Sequence, residues 1–183
     1  MHGPASSGWL LVALCAAAGA YCLLRMRGSA EARDRRAAGG EAVMGFGMAA
    51  MAVPPAVFTP PPWAWAVHAA VFGAAGLHAL WAARGSPYHL HHLVGAGAMV
   101  YMALVMAGSP GHAHGHGGSG VPPLTGALLL YFAGYVLLTG VRLVPAAAVT
   151  AAETAAGWAD RPELARACRL SMGIAMLAML LTL

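Results

Sequence analysis

Apolar runs of roughly spanning length, about 20 residues, recur along the whole chain, broken by short segments rich in Arg, Gly, Pro or His. The first run, about residues 8–27, ends on Arg25 and Arg27, and Arg33, Arg35 and Arg36 follow it. Basic residues after an uncharged start are the reverse of a cleavable signal peptide. This run is therefore expected to stay as a span whose basic end faces the cytoplasm. A second run, about 38–58, meets Pro54 and Pro55, and Pro60, Pro61 and Pro62 then force a turn. The third, about 63–83, opens on Trp63 and Trp65 and closes on Trp81 and Arg84, residue types expected at the two interfaces. Gly85, Ser86 and Pro87 turn the chain into a fourth run, about 88–108. A fifth runs over about 123–144. The sixth, about 166–183, has only about 14 apolar residues after Arg166 and Arg169, so it spans only with both Arg side chains snorkelling toward inner headgroups.

This pattern predicts an all-α fold: a polytopic transmembrane helical bundle of about six spans, forming a single membrane domain over 1–183 with both termini outside. Residues 109–122 read as a flexible His/Gly loop on the outer face. Residues 145–162 read as a segment on the inner surface, with Asp160 and Glu163 resembling a capping box for the last helix. The orientation is self-consistent, because Arg84, Arg142, Arg161, Arg166, Arg169 and all the acidic residues then fall on the inner side. The expected location is the plasma membrane, with the lipid bilayer as the principal partner and a second copy of the chain or a periplasmic metal donor as others.

Composition supports lipid as the solvent. Of 183 residues 60% are hydrophobic and 9% charged, against about 25% charged in soluble domains. The net charge of +4 resides in Arg at helix ends, where it sets orientation and meets anionic lipid, so it gives no sign of nucleic-acid binding. Basic residues are all Arg, and Ala, Gly and Pro abound, as expected from a GC-rich, actinobacterial coding sequence. Cys15, Cys22 and Cys168 form no CxxC pair and read as small buried hydrophobes; Cys15 and Cys22, seven apart, share a face of the first helix.

The chemistry above background is a recurrence of Met, His and Glu within apolar runs. Met44, Met48 and Met51 share one helical face with Glu41. Met99, Met102 and Met106 repeat the spacing with His92 on nearly the same face, and Met172, Met176 and Met179 repeat it again. Any single Met stripe reads first as an ordinary gap-filling core, but three together weaken that reading, and thioethers suit Cu(I), need no deprotonation and exchange readily. His68 and His78 sit within the third span, where an ionisable group is a functional candidate or a satisfied interhelical hydrogen bond. Ten residues, about 15 Å of helix, separate them into an outer layer with Met51 and Met102 and an inner layer with His91, His92, Met44 and Glu41. Glu41 at that depth needs a metal, His78 or an Arg as partner, or else snorkels to the inner surface. His89, His91 and His92 read first as a solvated helix start, with His92 the one expected to face inward. His112, His114 and His116 would capture a metal from outside, or are simply solvated.

No nucleophile elbow, Walker loop or zincin motif is present, and no Asp-rich magnesium motif. Met-Gly-Phe-Gly-Met-Ala-Ala-Met at 44–51, the pair His68 and His78, and His-His-Leu-Val-Gly at 91–95 resemble an actinobacterial integral-membrane family known only as a domain of unknown function. The resemblance implies a polytopic membrane fold and no activity. Three functions stay open: a copper-binding protein of transport, sensing or cuproenzyme supply, with ligands from Glu41, Met44, Met48, His68, His78, His92, Met99, Met102, His112, His114 and His116; a membrane oxidoreductase with haem or copper held by intramembrane His; and a structural assembly partner whose Met and His merely pack.

Overall fold

Helix follows helix wherever the chain is described, in keeping with backbone groups that have no water to bond in hydrocarbon. The computed structural model describes residues 4–82, 88–108, 120–149 and 162–183. They form α1 (Pro4–Gly28), α2 (Ala32–Met51), α3 (Pro62–Ala82), α4 (Tyr88–Gly108), α5 (Pro122–Val149) and α6 (Pro162–Leu181). The protein is thus all-α and polytopic. Five stretches are long and apolar enough to cross a membrane: Ser7–Gly28, Pro62–Trp81, Leu90–Gly108, Pro122–Arg142 and Glu163–Leu181. The short last run therefore qualifies, because the helix takes in residues before Arg166. α2 is outside this set, since its first turns carry Arg33, Asp34, Arg35 and Arg36 and Glu41 follows.

α2 lies earlier than hydropathy alone places the second run. It begins within the charged segment and stops at Met51, ahead of Pro54 and Pro55, whose rings block further helix. The tight turn from α1 is closed by side chains. Ser29 Oγ donates to Arg25 O in the last turn of α1 at 2.8 Å, and Arg35 Nη1 of α2 donates to Ala30 O of the linker at 2.6 Å. α5 runs on through Pro145 to Val149; the rest of the expected inner-surface segment, from 150 to 161, and the loop of His112, His114 and His116 lie outside the described residues.

The chain divides into two compact units, one of residues 1–54 and 129–182, the other chiefly of 55–128. In the first, α1 and α2 form an antiparallel pair with Gly8 beside Pro54, Gly19 against Gly45, and Gly39 against Met26. At the middle crossing a Cβ on Gly45 would stand 2.8 Å from Gly19 Cα and 3.0 Å from Cys15 O. Backbone thus meets backbone, the small-residue contact that helices use in lipid. α6 packs against both helices. In the second unit, α3 and α4 form another antiparallel hairpin, in which Gly76 faces Ala96.

Candidate functional site

Close packing of α1 on α2 brings Cys22 level with Glu41, because both lie about one turn from the Gly19–Gly45 crossing. Glu41 is 2% exposed and does not snorkel. Its Oε1 accepts a hydrogen bond from Arg169 Nε of α6 at 2.6 Å. Its Oε2 lies 3.6 Å from Arg25 Nη1 and accepts from the Cys22 thiol, also at 3.6 Å. Cys168, next to Arg169 in sequence, comes near Cys22 across the α1–α6 interface. One carboxylate, two guanidiniums and two thiols therefore share a site where three helices meet. Arg25 Nη1, although buried, has no hydrogen-bond acceptor among the described residues.

Of the three partners open to Glu41, the structure supplies Arg, and supplies it twice. It also separates the two Arg residues of α6. Arg166 is exposed, whereas Arg169 turns inward to the carboxylate instead of snorkelling. Such a pair is tolerated in an apolar setting because each charge is desolvated only alongside its opposite.

In the second unit, His68 of α3 is half-buried and stacks at 4.7 Å, tilted, on Phe72 one turn later. Its Nε2 is buried and makes no hydrogen bond among the described residues. Register follows from the Gly76–Ala96 contact: stepping back along α3 and forward along α4 puts His68 within about 3 Å of the level of Met102. At about 100° per residue, His68, Met99 and Met102 project on one flank of the hairpin. Met99 and Met102 are both fully buried. An imidazole nitrogen and the Met102 thioether thus lie near one level, with the Met99 thioether about 4.5 Å from Met102 along the axis on the same flank, donor types that suit a soft, monovalent ion.

The remaining expected residues are distributed as follows. Glu41, Met44 and Met48 belong to the first unit and His68, His78, His92, Met99 and Met102 to the second. Met48 is buried and Met44 half-buried. His78 is exposed on α3. His92 is half-buried and packs edge-on against His91, ring centroids 6.1 Å apart. Met172, Met176 and Met179 are buried on α6. Among the described residues, no group of three or more His, Cys, Asp and Glu side chains is placed to hold a metal ion; thioethers are outside that set of donors.

Sequence reasoning missed the partners of Glu41 and the approach of Cys168 to Cys22. The only available signal was that each Cys stands close before an Arg near the charged end of its helix, Cys22 before Arg25 and Cys168 before Arg169.

Residues 33–183 match a family described as a domain of unknown function, DUF5134. Neither a curated protein nor a solved structure matches the chain.

Proposed function

The chain belongs to the DUF5134 family, whose description carries no activity, so function must come from residue chemistry, and we propose that this is a copper-binding protein of the plasma membrane. It handles Cu(I) for transport, sensing or cuproenzyme supply. The observation that carries this reading is the buried, unpaired Nε2 of His68 on the same flank as the buried sulfurs of Met99 and Met102. A buried nitrogen without a partner is costly in an apolar interior, by about 1–3 kcal/mol. Coordination to a metal removes that penalty, and neutral imidazole and thioethers bind it without having to lose a proton. In this reading both termini and the loop of His112, His114 and His116 face outward, and the loop takes the ion from a periplasmic donor.

The test is Cu(I) binding by protein purified in mild detergent under reducing conditions, read by competition with a chromogenic Cu(I) chelator. His68→Ala and Met102→Leu are each expected to weaken binding at the hairpin by at least about tenfold, the loss of one ligand bond worth some 1.4 kcal/mol or more. Unchanged affinity in both variants would remove the hairpin site. A Soret band in protein grown with sufficient iron would instead assign the intramembrane His to haem.

A further inference from the structure

The α1–α2 hairpin ends in a cluster of arginines that the His68 site does not use. Arg25 and Arg27 close α1, and Arg33, Arg35 and Arg36 open α2, with only Glu31 and Asp34 as acidic residues in the same stretch. Arg35 is tied to the linker through Ser29 O and Ala30 O. Arg27, Arg33 and Arg36 are exposed and make neither a hydrogen bond nor an ion pair among the described residues. The contact between Met26 and Gly39 sets the register of the two helices and puts Arg27 and Arg36 within about one turn of the same level.

At about 100° per residue, Arg36 projects opposite the buried face of Ala38, Glu41, Gly45 and Met48, with Arg33 one turn earlier beside it, whereas Asp34 falls on the line of the buried face. The same outer side continues through Gly40, where a Cβ would meet nothing within 4 Å, to the exposed side chains of Val43 and Phe46. Arg36 and Phe46 are ten residues apart, about 15 Å of helix, which is the depth of one leaflet of hydrocarbon. Unpaired cations, then a bare glycine, then apolar side chains follow the order of an anionic headgroup and its acyl chains.

We propose that the outer side of α2 is a binding site for a phospholipid with an anionic headgroup. The phosphate sits at Arg33 and Arg36, with Arg27 at the same end of the hairpin, and an acyl chain runs past Gly40 over Val43 and Phe46. A guanidinium matches phosphate oxygens with a fork of paired donors. Arginine outnumbers acidic residues in this stretch, so the site favours a headgroup that brings net negative charge over a zwitterionic one that carries its own cation. A free phosphate would leave Val43 and Phe46 uncovered, and a lipid covers both parts. The site shares no residue with the hairpin of α3 and α4 and does not rest on copper binding.

The experiment equilibrates the full chain in mild detergent with phosphatidylglycerol or with phosphatidylcholine of the same acyl chains and counts bound lipid by native mass spectrometry. Phosphatidylglycerol is expected to bind at least about tenfold more tightly. Arg33→Gln together with Arg36→Gln should remove that preference and leave phosphatidylcholine binding unaltered. Arg142→Gln together with Arg166→Gln takes the same formal charge from two other exposed arginines and should keep the preference intact. All four side chains are exposed, so the variants are expected to fold, and equal helical circular dichroism checks this. Equal affinity for the two lipids in the parent protein would overturn the proposal. An equal loss in both double variants would overturn it too, since diffuse attraction by net charge would then suffice. Full displacement of phosphatidylglycerol by millimolar inorganic phosphate would give the arginines to a free anion and overturn the lipid site.

Discussion

Arg169 Nε donates to Glu41 Oε1 at 2.6 Å, tying α6 to α2 across 128 residues of sequence. The carboxylate is almost fully buried, and the guanidinium is only about a quarter exposed, at 27%. Removing the charge from one side leaves the others desolvated without compensation, which typically destabilises by about 3–5 kcal/mol. Glu41→Gln is therefore expected to lower the thermal midpoint of the detergent-solubilised protein strongly. Arg166→Gln, one turn away and exposed, should leave it nearly unchanged. Thermal unfolding followed by circular dichroism compares the two, and equal midpoints would show that the buried pair holds nothing together.

The Gly19–Gly45 crossing makes a sharper demand. A Cβ on Gly45 would lie 2.8–3.0 Å from backbone atoms of Gly19 and Cys15, and backbone cannot swing aside as a flexible side chain does. Gly45→Ala must push α1 and α2 apart, a cost of about 1–3 kcal/mol by overpacking. Gly40→Ala, which meets nothing within 4 Å, serves as control. It should be neutral or slightly stabilising, because Ala is the better helix former. Thermal midpoints that drop equally for both would attribute the effect to the glycine itself and not to the crossing.

Five helices long and apolar enough to cross a membrane were legible because the membrane imposes a one-dimensional rule: length and apolarity suffice, and Pro and Arg mark the ends. The limit of that rule shows at α2, where helix extends back through Arg33–Arg36, since arginine is a good helix former whatever its solvent. Periodicity also gave the buried faces of Met99, Met102, Met172, Met176 and Met179. It could not give partners across helices. Glu41 announced its need for compensation, yet nothing local pointed to Arg169, because the choice among helices is made by packing at the two glycines and not by spacing. Cys22 and Cys168 were read as small hydrophobes for the same reason: nothing local in the sequence shows their proximity to each other.

Tyr101 binds the end of α4 to the start of α5. Its hydroxyl lies 2.7 Å from Thr125 Oγ1 and accepts the Val121 N–H at 2.8 Å. That amide stands at the helix start, where donors have no intrahelical acceptor. Tyr101→Phe removes both bonds while keeping the ring, so destabilisation of about 1–3 kcal/mol is expected locally. Hydrogen exchange at Val121 and the residues after it should accelerate severalfold in the variant, with exchange in α1 and α2 unaltered. Unchanged exchange at Val121 would mean that another acceptor already serves its amide.

His68 yields a prediction in which stability and binding move in opposite directions. An imidazole whose Nε2 is buried without a partner weakens the metal-free protein, and an apolar side chain of similar size removes that penalty. His68→Leu is accordingly expected to stabilise the metal-free protein by about 1 kcal/mol while weakening Cu(I) binding at the α3–α4 hairpin at least about tenfold. Added Cu(I) raises the midpoint of any protein that binds it in the folded state. The copper-dependent rise at the hairpin should therefore shrink in the variant, even as its metal-free midpoint increases. Thermal unfolding with and without Cu(I) reads both quantities. A His68→Leu protein that is less stable without metal would show that the imidazole is a packing or hydrogen-bonding element of the fold, and a full copper-dependent rise would show that it is no ligand.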